Sequence, residues 1–416
     1  MRPTRLRPAR LGLATLACLA GCGAATPAVD AGRPDVVAVD AGAMDVSASC
    51  QQAAELALSE VQVEAAWWEG EPAPAATALP SAQALPASCG ALVGSAPWIT
   101  VDPATRAVTL TPGALPTGLH VGSVEVRAGA TVLASAPARL RVLRAAPAGA
   151  ARRVLVVGVD GVRPDALEAA NTPWFDVLRR HGVYTADART QLDVQAKSAP
   201  GWMSVFTGVS PRRHRVVANG EYADRDASHR TFAARAFDAG RRVIVSSAWP
   251  EVTSNIVELG VTVDRAFNFD GPGAAWLATR LRDADADVYV QHFDQVDATG
   301  HGSGFSRDNP NYIVAIERVD ALLGRLLDGM LSRPTIARED WLIVMTTDHG
   351  GRGRDHGPMD ADNQTIWFLV AGTSITRGAL PAVQTSHMDV TPTVLRWIGV
   401  AQDPAWALDG VVRGIP

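Results

Sequence analysis

The chain has 416 residues, of which 47% are hydrophobic and 19% charged, with 37 Gly and 27 Pro. That is too long for one ordinary core, suits two or three domains, and excludes wholesale disorder or a collagen-like repeat. The formal charge of −5 lacks the basic excess of a nucleic-acid-binding surface.

Residues 1–22 run from an arginine-rich stretch through the apolar LGLATLACLA to Gly21-Cys22. Basic, apolar and small residues in that order form an export signal, too short for a spanning helix. Leu19-Ala20-Gly21-Cys22 resembles a bacterial lipobox, which implies lipidation of Cys22 and anchoring to a membrane, on its periplasmic face or at the cell surface. Residues 23–49 are rich in Ala, Asp and Pro, without periodicity, and read as a flexible linker.

Residues 50–146 carry short β-type runs broken by Pro and Gly: VQVEAAWW, WITV, AVTLT, HVGSVEVRA, TVLAS and ARLRVL. The stretch PWITVDPATRAVTLTPGALPTGLHVGSVEVRA resembles immunoglobulin-like modules, implying a small all-β sandwich. Cys50 and Cys89 fall here, and an exported chain is placed to oxidise them. A disulfide is expected, two buried free thiols being the alternative. No CxxC pair exists, so a metal would have to be held by carboxylates, imidazoles and hydroxyls.

Residues 152–416 change texture to α/β. Apolar runs at 154–159, 243–246, 288–293, 342–347 and 366–371 alternate with helical patterns such as YIVAIERVDALLGRLLDGM. This predicts a mainly parallel sheet covered by helices on both faces. Ligands of such sheets collect where the strands end, and there the chemistry-bearing residues stand. Asp160 follows the first run, Asp297 and His301 the third, Asp348 and His349 the fourth, with His356 soon after. Singly, each carboxylate reads equally as a helix cap. Oxygen and imidazole donors together suit Zn²⁺ or Mn²⁺. Ser198, in AKSAPGW, lies where a helix could begin; alone it reads as a cap, and it needs activation to be a nucleophile.

The ordered motifs VDG, K-S-x-P, TGxxPxxH, DxxGH, DHG and a later HG resemble the alkaline phosphatase superfamily. Within it they are most similar to the type I phosphodiesterase/nucleotide pyrophosphatase branch. The resemblance implies a two-metal phosphoric ester hydrolase working through a phosphoseryl intermediate on Ser198. It implies one divalent ion, zinc or manganese, on Asp160, Ser198, Asp348 and His349, and a second on Asp297, His301 and His356. Asn219 matches the asparagine that donates to a phosphoryl oxygen, and the N–H groups following Ser198 would add to it. Asp294 is a rival ligand, and His387 is expected to be a surface or supporting histidine.

Gly201-Trp202 departs from the branch's Asn-His. Trp202 is therefore read either as core or as a stacking face for an aromatic leaving group. Arg212 and Arg213 are expected to face away from the site, which favours diesters. Phosphomonoesterase and phosphonate hydrolase are the alternatives within the superfamily. A sulfatase is disfavoured, because its C/S-x-P-x-R motif would place arginine where Trp202 stands. A non-catalytic surface-binding lipoprotein is the reading from a different class. The expected partners are a small phosphate ester and, through the lipid alone, a membrane.

Overall fold

The computed structural model describes residues 48–59, 61–190, 193–375, 377–378 and 385–415. The export signal, Cys22 and all but the last two residues of the expected linker lie outside the described residues. The described residues form one compact unit.

The first layer begins with helix α1 (Ala48–Ala57), followed by β1 (Val63–Trp68), β2 (Ala91–Gly94), β3 (Ile99–Val101), β4 (Val108–Leu110), β5 (Gly118–Ala128) and β6 (Thr131–Leu143). β1, β6, β5 and β2 form a four-stranded sheet in that order, and β3 pairs with β4. The runs TVLAS and ARLRVL join into the single strand β6. Two features exceed the sandwich expectation: the helix α1 and the parallel pairing of β1 with β6. Cys50 on α1 and Cys89 form a disulfide with Cα atoms 5.0 Å apart.

This layer is docked onto the rest of the chain. Trp68, 4% exposed, lies in the same apolar cluster as Leu331 and Trp341, and His181 stacks on its ring at 4.3 Å. Arg141, buried, donates to Asp328 and Glu64 and sits 4.1 Å over the Trp174 ring.

The second layer contains β7 (Ala151–Val159), helices α2 (Pro164–Ala169) and α3 (Pro173–Arg180), β8 (Gly182–Arg189), α4 (Ser198–Thr207), α5 (Pro211–His214) and α6 (Phe232–Asp238). Next come β9 (Val243–Ser247), β10 (Val263–Ala266), α7 (Asp270–Asp283), β11 (Val288–Phe293), α8 (Gln295–Ser303) and α9 (Pro310–Leu331). β12 (Glu339–Thr346), α10 (Ala361–Gln364), β13 (Thr365–Gly372) and α11 (Val390–Trp397) complete it. The sheet order is β10-β9-β11-β7-β12-β13-β8. β10, β9, β11, β7 and β12 run parallel; β13 alone is reversed, pairing antiparallel with β12 on one side and with β8 on the other.

The five apolar runs are the strands β7, β9, β11, β12 and β13. Alternation sorts their side chains: Leu155, Val157 and Val159 face a core with α3, α7 and α9, while Val154 and Val156 face one with α4, α6 and α11. β8 and β10 carry no apolar run because they are the sheet's edges, where one flank needs no burial. The parallel strands all end at one edge of the sheet, and the loops there carry the site.

Candidate active site

Asp160 is the residue directly after β7 and is 1% exposed. The loop it opens is pinned from two sides. Gly161 N–H donates to Asp348 Oδ1 at 3.2 Å, and Val162 N–H to Thr347 Oγ1 at 3.0 Å. Tyr312 on α9 accepts from Arg163 N–H and donates its hydroxyl to Gly161 O. Gly161 has φ +65°, and a Cβ there would lie 2.5 Å from Asp297 Oδ1. Only glycine meets both conditions at this turn.

Ser198 is the first residue of α4; the N-cap position is Lys197, which makes no side-chain cap bond, so Ser198 is not the cap. Its Oγ lies 3.5 Å from Asp160 Oδ1 and 3.3 Å from His349 Nε2. Asn219 reaches the same helix end, its Oδ1 accepting from Ala199 N–H at 2.8 Å. That leaves the Asn219 NH₂ as the group's remaining donor. The expectation that N–H groups after Ser198 are free for an anion is corrected here. Ala199 N–H is taken by Asn219, Pro200 has none, and Gly201 N–H bonds Lys197 O at 3.0 Å.

The histidines share one design. His349 Nδ1 lies 2.7 Å from Gly350 O, His356 Nδ1 2.8 Å from Ala196 O, and His301 Nδ1 2.9 Å from Arg354 O. A carbonyl only accepts, so each Nδ1 carries a proton, and Nε2 is the nitrogen left to face the carboxylates. His301 Nε2 is 3.3 Å from Asp297 Oδ2, one helical turn away on α8, and His356 Nε2 is 3.7 Å from Asp297 Oδ1. His349 Nε2 is 3.5 Å from Asp160 Oδ1 and 3.3 Å from Asp348 Oδ2.

Asp297, His301 and His356 present donor atoms all within 4.8 Å of one another, and so do Asp160, Asp297 and His349. Asp297 thus belongs to both groups, and Asp348 borders the second through its 3.3 Å approach to His349. Asp297 Oδ1 and Asp348 Oδ2 are buried without a hydrogen bond, which is costly unless a cation completes them.

Electrostatics point the same way. Burial, with Asp160 and Asp297 nearby, pushes the Asp348 carboxyl well above its ordinary range, and burial with Asp160 raises Asp297. Burial works against the Asp160 carboxylate too, but His292, His349 and Trp202 outweigh it and hold the group down at about 2. Burial lowers His356 to about 4. The hydrogen bond with Asp297 lifts His301 to about 9. Buried carboxylates facing imidazole Nε2 atoms, with orphaned oxygens between them, fit a divalent cation set with nitrogen and oxygen ligands.

Asp294 falls outside both donor groups. Its N–H donates to Asp270, and burial beside Asp160 raises its carboxyl to about 7. His387 is not at the surface: it is 0% exposed and packed against the backbones of Asp348 and Thr190. His214, from the TGxxPxxH motif, is structural. Its Nδ1 accepts from Val216 N–H, so Nε2–H donates to Ser204 Oγ at 3.0 Å and ties the turn to α4.

Arg212 pairs with Asp193, and Arg213 with Asp409 and Ala407 O. Trp202 is 2% exposed and donates its indole N–H to Asp160 Oδ2 at 2.8 Å. Its ring therefore cannot stack on a leaving group. Sequence reasoning missed His292, 3.4 Å from the same oxygen; its only signal was an imidazole inside the apolar run VYVQHF.

The fold is that of the alkaline phosphatase superfamily. Residues 154–363, just over half of the chain, match the type I phosphodiesterase/nucleotide pyrophosphatase family. The chain belongs to that family, whose members are hydrolases. Human ectonucleotide pyrophosphatase/phosphodiesterase family member 1 is 22% identical over 219 residues, which span 47% of this chain and 23% of that protein. The chain therefore matches about a quarter of that curated relative's length. Among solved structures, a 2-O GAG sulfatase superposes with TM-score 0.52 at 14% identity, over 63% of this chain and 73% of its own. Murine ectonucleotide pyrophosphatase/phosphodiesterase 5 in complex with AMP gives 0.49 at 17%, over 61% and 96%.

Proposed function

We propose that the chain hydrolyses phosphate diesters or nucleotide pyrophosphates, with Ser198 as the nucleophile and two divalent ions, zinc by preference, as cofactors. The observation that carries this reading is the convergence of three Nε2 atoms and two orphaned carboxylate oxygens beside one serine at a helix start. Asp160, Ser198, Asp348 and His349 would hold one ion, and Asp297, His301 and His356 the other; the position of Asp297 within both donor groups supports two neighbouring ions. When bound, such ions lower the pKa of the serine hydroxyl and offset charge on phosphoryl oxygens.

Ser198 Oγ forms a bond to phosphorus as the bond to the leaving group breaks, the serine proton going to the departing alcohol or phosphate, which gives a seryl phosphodiester that keeps the second ester group. Water then cleaves the serine O–P bond, returning the serine hydroxyl and releasing the phosphomonoester. Asn219, with its Oδ1 fixed on Ala199 N–H, is oriented so that its NH₂ can donate to a phosphoryl oxygen. The pairing of Arg212 and Arg213 elsewhere supports a site without a guanidinium clamp for a dianion, and so favours diesters over monoesters.

The test is hydrolysis of bis-(nitrophenyl) phosphate against nitrophenyl phosphate by the purified full chain, with and without chelator. A higher kcat/KM on the diester, abolished by EDTA and restored by Zn²⁺, is expected. A tenfold preference for the monoester would reject the diester reading.

The lipobox-like segment supports export and lipid anchoring through Cys22. The β layer, docked away from the site, supports a spacer between anchor and catalytic layer.

A further inference from the structure

Asp160 has two oxygens with different company. Oδ1 faces Ser198 Oγ at 3.5 Å and His349 Nε2 at 3.5 Å. Oδ2 accepts the Trp202 indole N–H at 2.8 Å and has His292 Nε2 close by at 3.4 Å, an approach without hydrogen-bond geometry. Ser198 and Trp202 are i and i+4 on α4, so successive turns of one helix reach opposite oxygens of one carboxylate.

The seat for the indole is built into the sheet. Gly158 lies two residues before Asp160 on β7, on the same face, and a Cβ there would come within 2.4 Å of the Trp202 ring. His292 pairs in register with Gly158 across β11 and β7, and with Ser247 across β11 and β9. Its Nδ1 lies 3.2 Å from Ser247 Oγ, and its ring meets the Trp202 ring edge-on at 4.6 Å. Trp202 and His292 are both at least 98% buried. An indole N–H that only needed a partner would find a backbone carbonyl more cheaply than a buried carboxylate.

We propose that Trp202 and His292 are positioning residues that occupy Asp160 Oδ2, leaving Oδ1 as the oxygen presented to the first metal ion and the nucleophile. This rests on the two-ion reading above. Outer partners of metal-binding side chains tune affinity by fixing orientation. The pair would thus set how tightly one ion is held without touching substrate.

The test is zinc affinity of the full chain, measured by competition with a chromophoric chelator. Trp202→Phe keeps the ring and removes the N–H. It should weaken one of two zinc equivalents by about 10–100-fold and leave the other unchanged. Trp367→Phe is the control: Trp367 is equally buried, its Nε1 has no partner, and it packs on Phe175. It should leave both equivalents unchanged.

If Trp202→Phe does not fold, His292→Phe gives the same readout with the same expected loss. Two equivalents held within about threefold of wild type, or both weakened alike with a fall in Tm, would overturn the positioning role. A wild-type chain that binds no divalent ion would instead overturn the two-ion reading itself, so the two failures are distinct.

Discussion

At the scale of single residues, the site is a set of side chains each held by a second contact. Ser198 is buried at 6% exposure and shares its hydroxyl with Asp160 and His349. Ser198→Ala should lower turnover by several orders of magnitude, measured as kcat on a diester, while the fold and the second zinc site, which does not include Ser198, stay largely intact. His214 supplies a test of stability rather than activity. Burial depresses its pKa to about 3 from 6.5, so the folded state binds fewer protons than the unfolded one. The stability contribution of the neutral ring is complete above pH 6.5 and is lost as pH falls from there toward 3. Thermal denaturation across that range should show Tm dropping with pH, and His214→Gln should flatten the part of the drop that this histidine causes.

At the scale of elements, two short helices do most of the assembly. α4 brings Ser198 and Trp202 to Asp160, and α8 brings Asp297 and His301 to one side of the same space. α8 is itself seated by Asp270, which accepts from Asp294 N–H at 2.9 Å and Gln295 N–H at 3.2 Å. The turn between β7 and α2 completes the frame, and Gly161 is its most constrained point. Gly161→Ala should cost about 1–3 kcal/mol of strain from its φ of +65° alone. Because the new Cβ would also displace Asp297, zinc binding should weaken along with Tm, whereas a purely conformational effect would lower Tm only. Legibility followed burial at this scale. Strands with two buried flanks wrote apolar runs into the sequence, and the edge strands β8 and β10 did not.

At the scale of the whole molecule, the β layer is a fixed appendage on the side away from the chemistry. α9 links the two: Tyr312 pins the Gly161 turn, and Asp328 holds Arg141 of β6. Sixteen residues of helix separate those contacts, roughly 24 Å. Cys50→Ser with Cys89→Ser reopens a loop with sequence separation 39, a stabilisation of up to about 4 kcal/mol. Tm should fall, with kcat/KM unchanged at temperatures where the variant stays folded. For the segment before the β layer, acyl labelling of the expressed full chain should mark wild type and not Cys22→Ser. Equal labelling of both would remove the anchoring proposal.

The sequence by itself determined the α/β class, the strand runs and the residue types of the candidate site, because burial on both faces of a parallel sheet forces apolar runs and leaves their ends free for polar chemistry. The motif order DxxGH, DHG and HG likewise placed Asp297, His301, Asp348, His349 and His356 in the candidate site before any coordinate was known. What tertiary structure decided was partnership. Only the fold shows that Asn219 takes the Ala199 N–H in the first turn of α4 and that three histidines are anchored through Nδ1. Nor could any spacing show that Trp202, ambiguous as a string of letters, spends its N–H on Asp160. Apart from His349, whose carbonyl partner is the next residue, those contacts join residues 20 to 160 positions apart in the chain, and they depend on strand register and helix placement, which no local pattern records.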